Sequence, residues 1–535
     1  MSSYLEIVPH DILEHIAFLV VLTPGPFFSS LQGLLNLMLT SSTLHSSLCT
    51  SSAPHLYARI FRNTFDLDTS GSSFNTNQCT DSGLTFDLIS RYRLLRRVRR
   101  HEFSDEMMLE DLCVAMRTVL ESAGVEIHLR SVGFSEFIFS YAQQCLTKHQ
   151  LAQTNADFDC KTRLVLWLLA FTWSRADITK IAQEIRENFF VLLRSLVLAD
   201  VRDQTVLEAV YQSGTACIRD CHSSKADCAT SILIPSASSA AIILYFALQE
   251  AGCTEVAPRL LSGREIDHDF SDEREGLTME DYCRMTTYRT PLYGDICFTS
   301  RTSNPRISSS IRHDRQFFNL KLHGSNAYQY LPEVITGLWE GVYMVSSAHM
   351  NKEASFSSTS TPDFICKKFL QCPLVLFFNF GTADSDLLVP ESIRSEVSQW
   401  SATPRDFSTD TDYLTISGRR TPYEKFVYPT GGKCTVSGNY SQALDCLVVG
   451  RTAQDHDSAW GGFNFAGRLK QDGTIVMKRE PKNSTDAGLG TWIFEGNVRY
   501  GSVFVGSWRS SMSPGSGIYG LFSLGKKASP SQDEP

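Results

Sequence analysis

Two short stretches hold residue types that do chemistry. Cys217, Cys221, His222 and Cys228 place three thiols and an imidazole, the donors that bind zinc, within 12 residues. Their spacing argues against a metal: Cys217 and Cys221 stand four apart, and no second pair follows at finger distance. Asp455-His456-Asp457, just before Gly461-Gly462, sets a histidine between two carboxylates that could tune it for proton transfer near neutral pH. No nucleophile accompanies it in a recognised setting, and the chain has no G-x-S-x-G, no Walker loop and no H-E-x-x-H. The expectation is a loop histidine with satisfied neighbours, with a hydrolase built on His456 as the remote alternative. Neither metal nor cofactor is expected.

The dense basic run is Arg91, Arg93, Arg96, Arg97, Arg99 and Arg100, with Leu94, Leu95 and Val98 between them at helical spacing. It reads as a solvated helix face at a domain junction; a nuclear signal or a site for an acidic partner is the alternative. The whole chain carries 49 Lys and Arg against 58 Asp and Glu, a net charge of −9. Binding to nucleic acid by general phosphate neutralisation is therefore not expected. The acidic run at 264–275 reads as a solvated loop.

These residues need elements to hold them. A chain of 535 residues predicts about three domains, and 42% hydrophobic with 20% charged residues is the composition of a packed globular protein. Residues 5–250 carry helical periodicity. Met108, Leu112, Ala115, Val119 and Leu120 recur at helix spacing, as do Ile178, Ile181, Ile185, Phe189, Leu192 and Leu196, with Asp177 placed to cap the second run. Residues 251–316 break into polar and charged stretches and predict an irregular connector. From Phe317 the period becomes two: Phe463, Phe465, Gly467 and Leu469 share one face, Asp472-Gly473 marks a hairpin with φ above zero at both turn positions, and Ile475 and Met477 follow. Residues 461–523 hold 12 of the 33 glycines, a density suited to tight turns and close strand crossings. Trp492, Phe494, Phe504 and Trp508 supply large inward side chains for a closed antiparallel sheet. Residues 527–535 predict a disordered tail.

The most apolar run, 164–173, is ten residues where spanning a bilayer takes about 20. The longer 231–248 contains Pro235 and four serines. No basic segment precedes an apolar stretch at the amino terminus, so neither a signal peptide nor a membrane span is expected. The 15 scattered cysteines then predict reduced thiols in the cytoplasm or nucleus, where the sequons at Asn439 and Asn483 have no role.

At the amino terminus Val8-Pro9 precedes Asp11, Ile12, Leu13 and Ile16, and an insert TPGPFFSS separates this helix from a leucine-spaced second one. A third begins at Ala53-Pro54. Val8-Pro9 with the acidic and aliphatic positions, LMLTSSTLHSSL at 37–48, and Pro54-His55-Leu56-Tyr57 resemble, in order and spacing, the three segments of the F-box. The resemblance implies a helical bundle over 1–62 that docks on the linker subunit of a cullin-RING (SCF-type) ubiquitin ligase, with Val8, Pro9, Ile12, Ile16, Pro54, Leu56 and Tyr57 as contact candidates. An α-helical middle over 63–250 would follow.

The strings FFNLKLHG and YLPEVITGLWEGVYMV in 317–345, then GRTAQDHDSAWGGFNFAGRLKQDGTIVMKREP and GLGTWIFEGNVRYGSVFVGSWRS, resemble the carboxy-terminal β domain of a large fungal set of F-box proteins. That resemblance covers most of 317–524 and implies that an antiparallel barrel over 317–526 receives the degradation target. Gly337-Leu338-Trp339 also resembles the Gly-x-Trp that opens lipocalin-like barrels, where the Trp closes one end and an Arg from a late strand stacks over it. Arg499 or Arg509 is the candidate for that place. A plain core Trp339 is the alternative.

The fold expected is thus multidomain, α then β. The function expected is a non-catalytic substrate receptor that brings an unknown target protein to the conjugating enzyme recruited by the RING subunit, so that proximity does the work. The alternative is a lipocalin-like carrier or sensor of a small ligand. Bulky inward residues predict a filled barrel, with recognition at rim loops such as 347–362 and 452–460.

Overall fold

The computed structural model describes residues 7–22, 27–65, 80–103, 106–121, 126–152, 160–202, 216–218, 232–252, 290, 292–293, 332–347, 368–380, 407–408, 413–416, 419–427, 440–454, 456–457, 461–471, 473–482, 490–510 and 518–527. Two compact units emerge: Met1–Thr172 with Thr215–Ala237, and Trp173–Gly214 with Ser238–Pro535. The division falls inside the 63–250 stretch expected as one helical middle. Among the described residues no helix is long and apolar enough to cross a membrane.

The first unit contains α1 (His10–Val21), α2 (Phe27–Leu39), α3 (Ser42–Leu48), α4 (Pro54–Thr64), α5 (Asp81–Arg99), α6 (Met108–Glu121), α7 (Glu126–Ser131), α8 (Phe134–Ala152) and α9 (Cys160–Thr172), with a two-stranded ribbon of β1 (Ala216–Ile218) and β2 (Ile232–Ile234). Four helices, not three, open the chain. Phe27–Ser30 of the supposed insert begin α2, and the leucine-spaced run breaks at Thr40-Ser41, where the Thr40 hydroxyl donates to the Leu37 carbonyl and the Ser41 hydroxyl caps α3 by accepting from the Thr43 amide. Such local bonds compete with continuing the helix. Leu13, Ala17, Phe18, Leu44, Leu56, Ile60 and Phe61 form one buried cluster that also takes in Leu84 and Leu88 of α5. The opening bundle therefore shares its core with the helix that follows and does not close at residue 62.

The basic run lies on α5, and the helix sorts it. Arg91 is 3% exposed and stacks on Phe61 and Phe65 at 4.7 and 4.6 Å, while the Arg97 Nε donates to Asp111 of α6 at 2.7 Å. Only Arg93, Arg96, Arg99 and Arg100 face solvent, so the run is a solvated face in part and a helix-packing device in part.

The second unit joins α10 (Arg175–Lys180), α11 (Gln183–Arg202) and α12 (Ala237–Gly252) to a β domain preceded by α13 (Pro332–Ile335). The expected single helix from Asp177 is two helices. Ser174 is the cap, Asp177 returns the bond from the third helical position, and the chain breaks at Ile181-Ala182.

The β domain runs β3 (Gly337–Ser347), β4 (Lys368–Asn379), β5 (Phe407–Ser408), β6 (Tyr413–Ile416), β7 (Arg419–Lys425), β8 (Asp445–Arg451), β9 (Phe463–Leu469), β10 (Thr474–Pro481), β11 (Trp492–Arg499), β12 (Val503–Ser510) and β13 (Ile518–Lys526). Neighbours follow the order β3-β13-β12-β11-β10-β9-β8-β4, and β4 pairs back with β3, closing eight antiparallel strands into a barrel. The remaining three strands hang from β4 through β7. Leu414 and Tyr423 from this flap cover Phe377, Leu447, Val449, Ala466, Val476 and Ile493 on the barrel's outer face. Beneath it Arg468 pairs with Asp445 at 2.7 Å, and the Tyr423 hydroxyl donates to Asp445 at 2.8 Å, which satisfies a carboxylate otherwise costly to bury.

The hairpin after β9 differs from the expected two-residue turn. The Lys470 amide donates to the Thr474 carbonyl and the Gly473 amide to that of Lys470, which leaves a three-residue loop. Only Gly473, at φ 87°, is seen in the left-handed region; Asp472 lies outside the described residues.

Candidate functional site

The first candidate is the outer face of α1. At 100° per residue Leu13, Ala17 and Val21 point to the core, and Ile12, Ile16 and Leu19 fall on the opposite side. Ile12 is 49% and Leu19 51% exposed; Pro9, just ahead of the helix, is exposed, and Val8 and Ile16 are partly so. One short helix thus carries two apolar stripes, and among the described residues only one of them is buried.

Of the contact candidates, Val8, Pro9, Ile12, Ile16 and Pro54 are at least partly accessible. Leu56 and Tyr57 are not. They are 2% and 8% exposed, and the Tyr57 hydroxyl donates to the Leu48 carbonyl at 2.7 Å, with burial raising its pKa to about 12. The register of α4 turns both into the bundle core, behind the outer face of α1. What the sequence reading missed is the group that fixes the face. Glu14, 9% exposed, meets His10 at 3.2 Å and closes on His55 at the start of α4, while the His10 Nε2 faces the Ser47 carbonyl at 3.1 Å. The visible signal was the i, i+4 spacing of His10 and Glu14.

The second candidate is the barrel. Register places Trp492 opposite Ser510, Phe494 opposite Trp508, and Val498 opposite Phe504, all on one face. Contacts between strands that are not sheet neighbours identify that face as the interior: Tyr343 of β3 meets Trp492 of β11 at 5.2 Å, and Trp339 meets Phe504 at 6.1 Å. Trp339, Phe494 and Phe504 have no exposed surface and Trp508 has 1%; Trp492 is half-buried at the end where β10 gives way to β11. Arg509 alternates to the outer face, opposite Ile493 and Tyr519.

The two ends differ. At one, the Trp339 Nε1 donates to the Ile335 carbonyl at 2.7 Å, and Lys526, directly across from Trp339, donates to the Glu333 and Val334 carbonyls at 2.7 Å each. These bonds satisfy the last carbonyls of α13 and seat it at that end. Burial lowers the Lys526 pKa to about 8. The late-strand cation beside Trp339 is therefore Lys526, and neither Arg499 nor Arg509.

At the other end the guanidinium of Arg479, 1% exposed, lies 3.5 Å over Trp492 and 3.9 Å over Phe463, and Trp492 stacks on Trp508 at 4.2 Å. Burial lowers the Arg479 pKa to about 10, opposed by its bond to the Tyr343 hydroxyl. A cation inside an apolar barrel is held here by ring faces and a phenol. Arg479 escaped the sequence reading because MKREP looks like a solvated strand end.

His456 sits beside this end and is 4% exposed, with its Nδ1 3.2 Å from the Gly461 carbonyl. Asp457, its neighbour, binds Lys482 at 2.5 Å and the Thr452 hydroxyl. The cluster pins the connection between β8 and β9. Burial holds the His456 pKa down at about 4, too low for an acid-base role near neutrality. Between roughly pH 6.5, the unfolded value, and pH 4 only the unfolded chain takes up this proton, so stability falls as pH drops through that window. The expected contribution is about 2 kcal/mol lost at pH 5 relative to pH 7. His456→Gln should remove that increment in urea titrations at the two pH values; an equal pH dependence of variant and wild type would show that His456 does not titrate in this way.

Cys221, His222, Cys228 and the acidic run at 264–275 lie outside the described residues, as do most of 347–362 and part of 452–460; of Cys217 the backbone alone is described. Comparison with protein-family models, curated proteins and solved structures gives no match to this chain.

Proposed function

We propose that the chain is a non-catalytic F-box substrate receptor of a cullin-RING (SCF-type) ubiquitin ligase. The observation that carries the reading is the second apolar stripe of α1. Ile12, Ile16 and Leu19, led by Pro9, form a face that the described residues of the bundle leave at least partly open, at the segment whose sequence resembles the part of the F-box that meets the linker subunit. Fully covering a large aliphatic is worth about 1.5 to 3 kcal/mol, so these half-exposed side chains would contribute part of the binding energy of a larger contact. The contact set is Val8, Pro9, Ile12, Ile16 and Leu19, with Pro54 at the neighbouring helix start. The protein expressed in a host with an intact ligase should co-purify the linker subunit and the cullin. The reading fails if neither is recovered where other F-box proteins recover both.

The barrel would hold the target, with the cytoplasm or nucleus as the site of action. The small-ligand carrier reading needs an apolar hollow of several hundred cubic ångströms. The inward residues Trp339, Leu370, Cys372, Leu376, Phe465, Met477, Phe494, Phe504 and Phe522 have no exposed surface, whereas the walls of a hollow would be accessible. Fluorescent fatty-acid or retinoid probes are therefore expected not to bind at micromolar concentration. Stoichiometric, competable binding would favour the carrier.

A further inference from the structure

Three described residues of the connector expected over 251–316 are buried. Thr290 and Leu292 have no exposed surface and Tyr293 has 1%, deep burial for three residues of a polar stretch. Glu250, near the end of α12, holds the first of them. Its carboxylate accepts from the Thr290 amide at 2.9 Å and the Thr290 hydroxyl at 2.8 Å, and Arg175 of α10 donates both to Glu250 and to the Thr290 carbonyl at 2.9 Å. Three residues on, the Tyr293 hydroxyl donates to the Arg499 carbonyl at 2.9 Å, and its ring stands edge-on to Tyr500 at 5.8 Å. Arg499 in turn reaches the Ser239 hydroxyl of α12 at 3.4 Å. Tyr500 sits at φ 47° in the hairpin between β11 and β12, whose Ser502 carbonyl accepts from the Lys526 amide at 3.0 Å.

This is a closed circuit. It runs from α10 and α12 through Thr290 and Tyr293 to the barrel hairpin, and back to α12 through Arg499. The charged anchor is the strongest link, because bonds to ionised groups are worth more than neutral ones and Glu250 is buried where water does not compete.

We propose that Thr290, Leu292 and Tyr293 form a strap, anchored on Glu250, through which the helical layer and the barrel open and close as one cooperative unit. Coupling of this kind needs a contiguous network with two arrangements, strapped and released, and every link above is a direct contact. The device holds the end of the barrel at the β11–β12 hairpin against the helices and leaves the Trp492 end for binding. It does not depend on the ligase reading, since it concerns only how the barrel is held.

Native-state hydrogen exchange on the full chain tests it. Glu250→Gln should speed exchange about tenfold at the Thr290 amide and, by a similar factor, at the distant amides of Ser502 and Lys526. Tyr293→Phe, which removes one neutral bond and keeps the ring, should accelerate the same amides about threefold. Glu184→Gln, at an exposed position of α11, should change neither. Faster exchange at Thr290 alone would make the segment a local tie and overturn the proposal, as would unchanged exchange throughout.

Discussion

Replacing Pro9 and Ile12 together with alanine is expected to abolish co-purification of the linker subunit and the cullin while leaving the chain folded. Both residues are exposed, and Ile12 points away from the Leu13, Ala17 and Val21 stripe, so the change should alter folding stability by no more than about 0.5 kcal/mol. Losing the burial of one large aliphatic and a proline at an interface removes about 3 kcal/mol, more than a hundredfold in Kd. Leu56→Ala supplies the contrast. Leu56 is 2% exposed, so its truncation should cost about 2 to 5 kcal/mol of stability and impair binding only through unfolding. Pull-down read against thermal melts separates the two effects. If the Pro9/Ile12 variant retains both subunits, the outer stripe of α1 is not the docking face.

Trp508→Ala is expected to lower the stability of the barrel by about 3 to 5 kcal/mol. The indole is 1% exposed, stacks on Trp492 at 4.2 Å, meets Tyr343 at 5.9 Å, and donates from Nε1 to the Met344 carbonyl at 3.0 Å. Gly520 makes room for it. A Cβ there would stand 2.6 Å from the indole nitrogen and 1.7 Å from the Met344 carbonyl oxygen. Removing the ring leaves a void in a close-packed lumen, strips the second aromatic from the stack that holds Arg479, and takes a donor from the buried Met344 carbonyl. Urea unfolding followed by β-sheet circular dichroism measures the loss. A cost below about 1 kcal/mol would mean that the lumen is loosely filled, and would favour the carrier reading.

Much of the architecture was legible in the residues because it follows from periodicity. The change from helical spacing to alternation and the inward set Trp492, Phe494, Phe504 and Trp508 depend on which face of a local element is apolar, and neighbours in sequence decide that; the run 164–173 is apolar on nearly every side and is buried all round. The hairpin at Asp472-Gly473 was visible as a turn and mistaken in length, because an Asp-Gly pair does not say which flanking residues pair; the Lys470 and Thr474 bonds do. For Leu56 and Tyr57 a linear resemblance implies a contact role and says nothing of burial. The packing of α4 against the bundle, a tertiary matter, made them core.

By itself the sequence determined a helical front half and an alternating back half with large inward rings; at Val8–Ile16 it carries only a resemblance, which lies in the residues and not in their surroundings. Only the tertiary structure decided which cation serves which ring. Lys526 lies beside Trp339 because β13 pairs with β3, and Arg479 lies over Trp492 because β10 pairs with β11; these partners stand 187 and 13 residues apart. Strand register, the division at Thr172, and the hold of Glu250 on Thr290 likewise join residues far apart in the chain. No local pattern encodes such contacts, since they are selected by the closure of the barrel and the packing of whole elements.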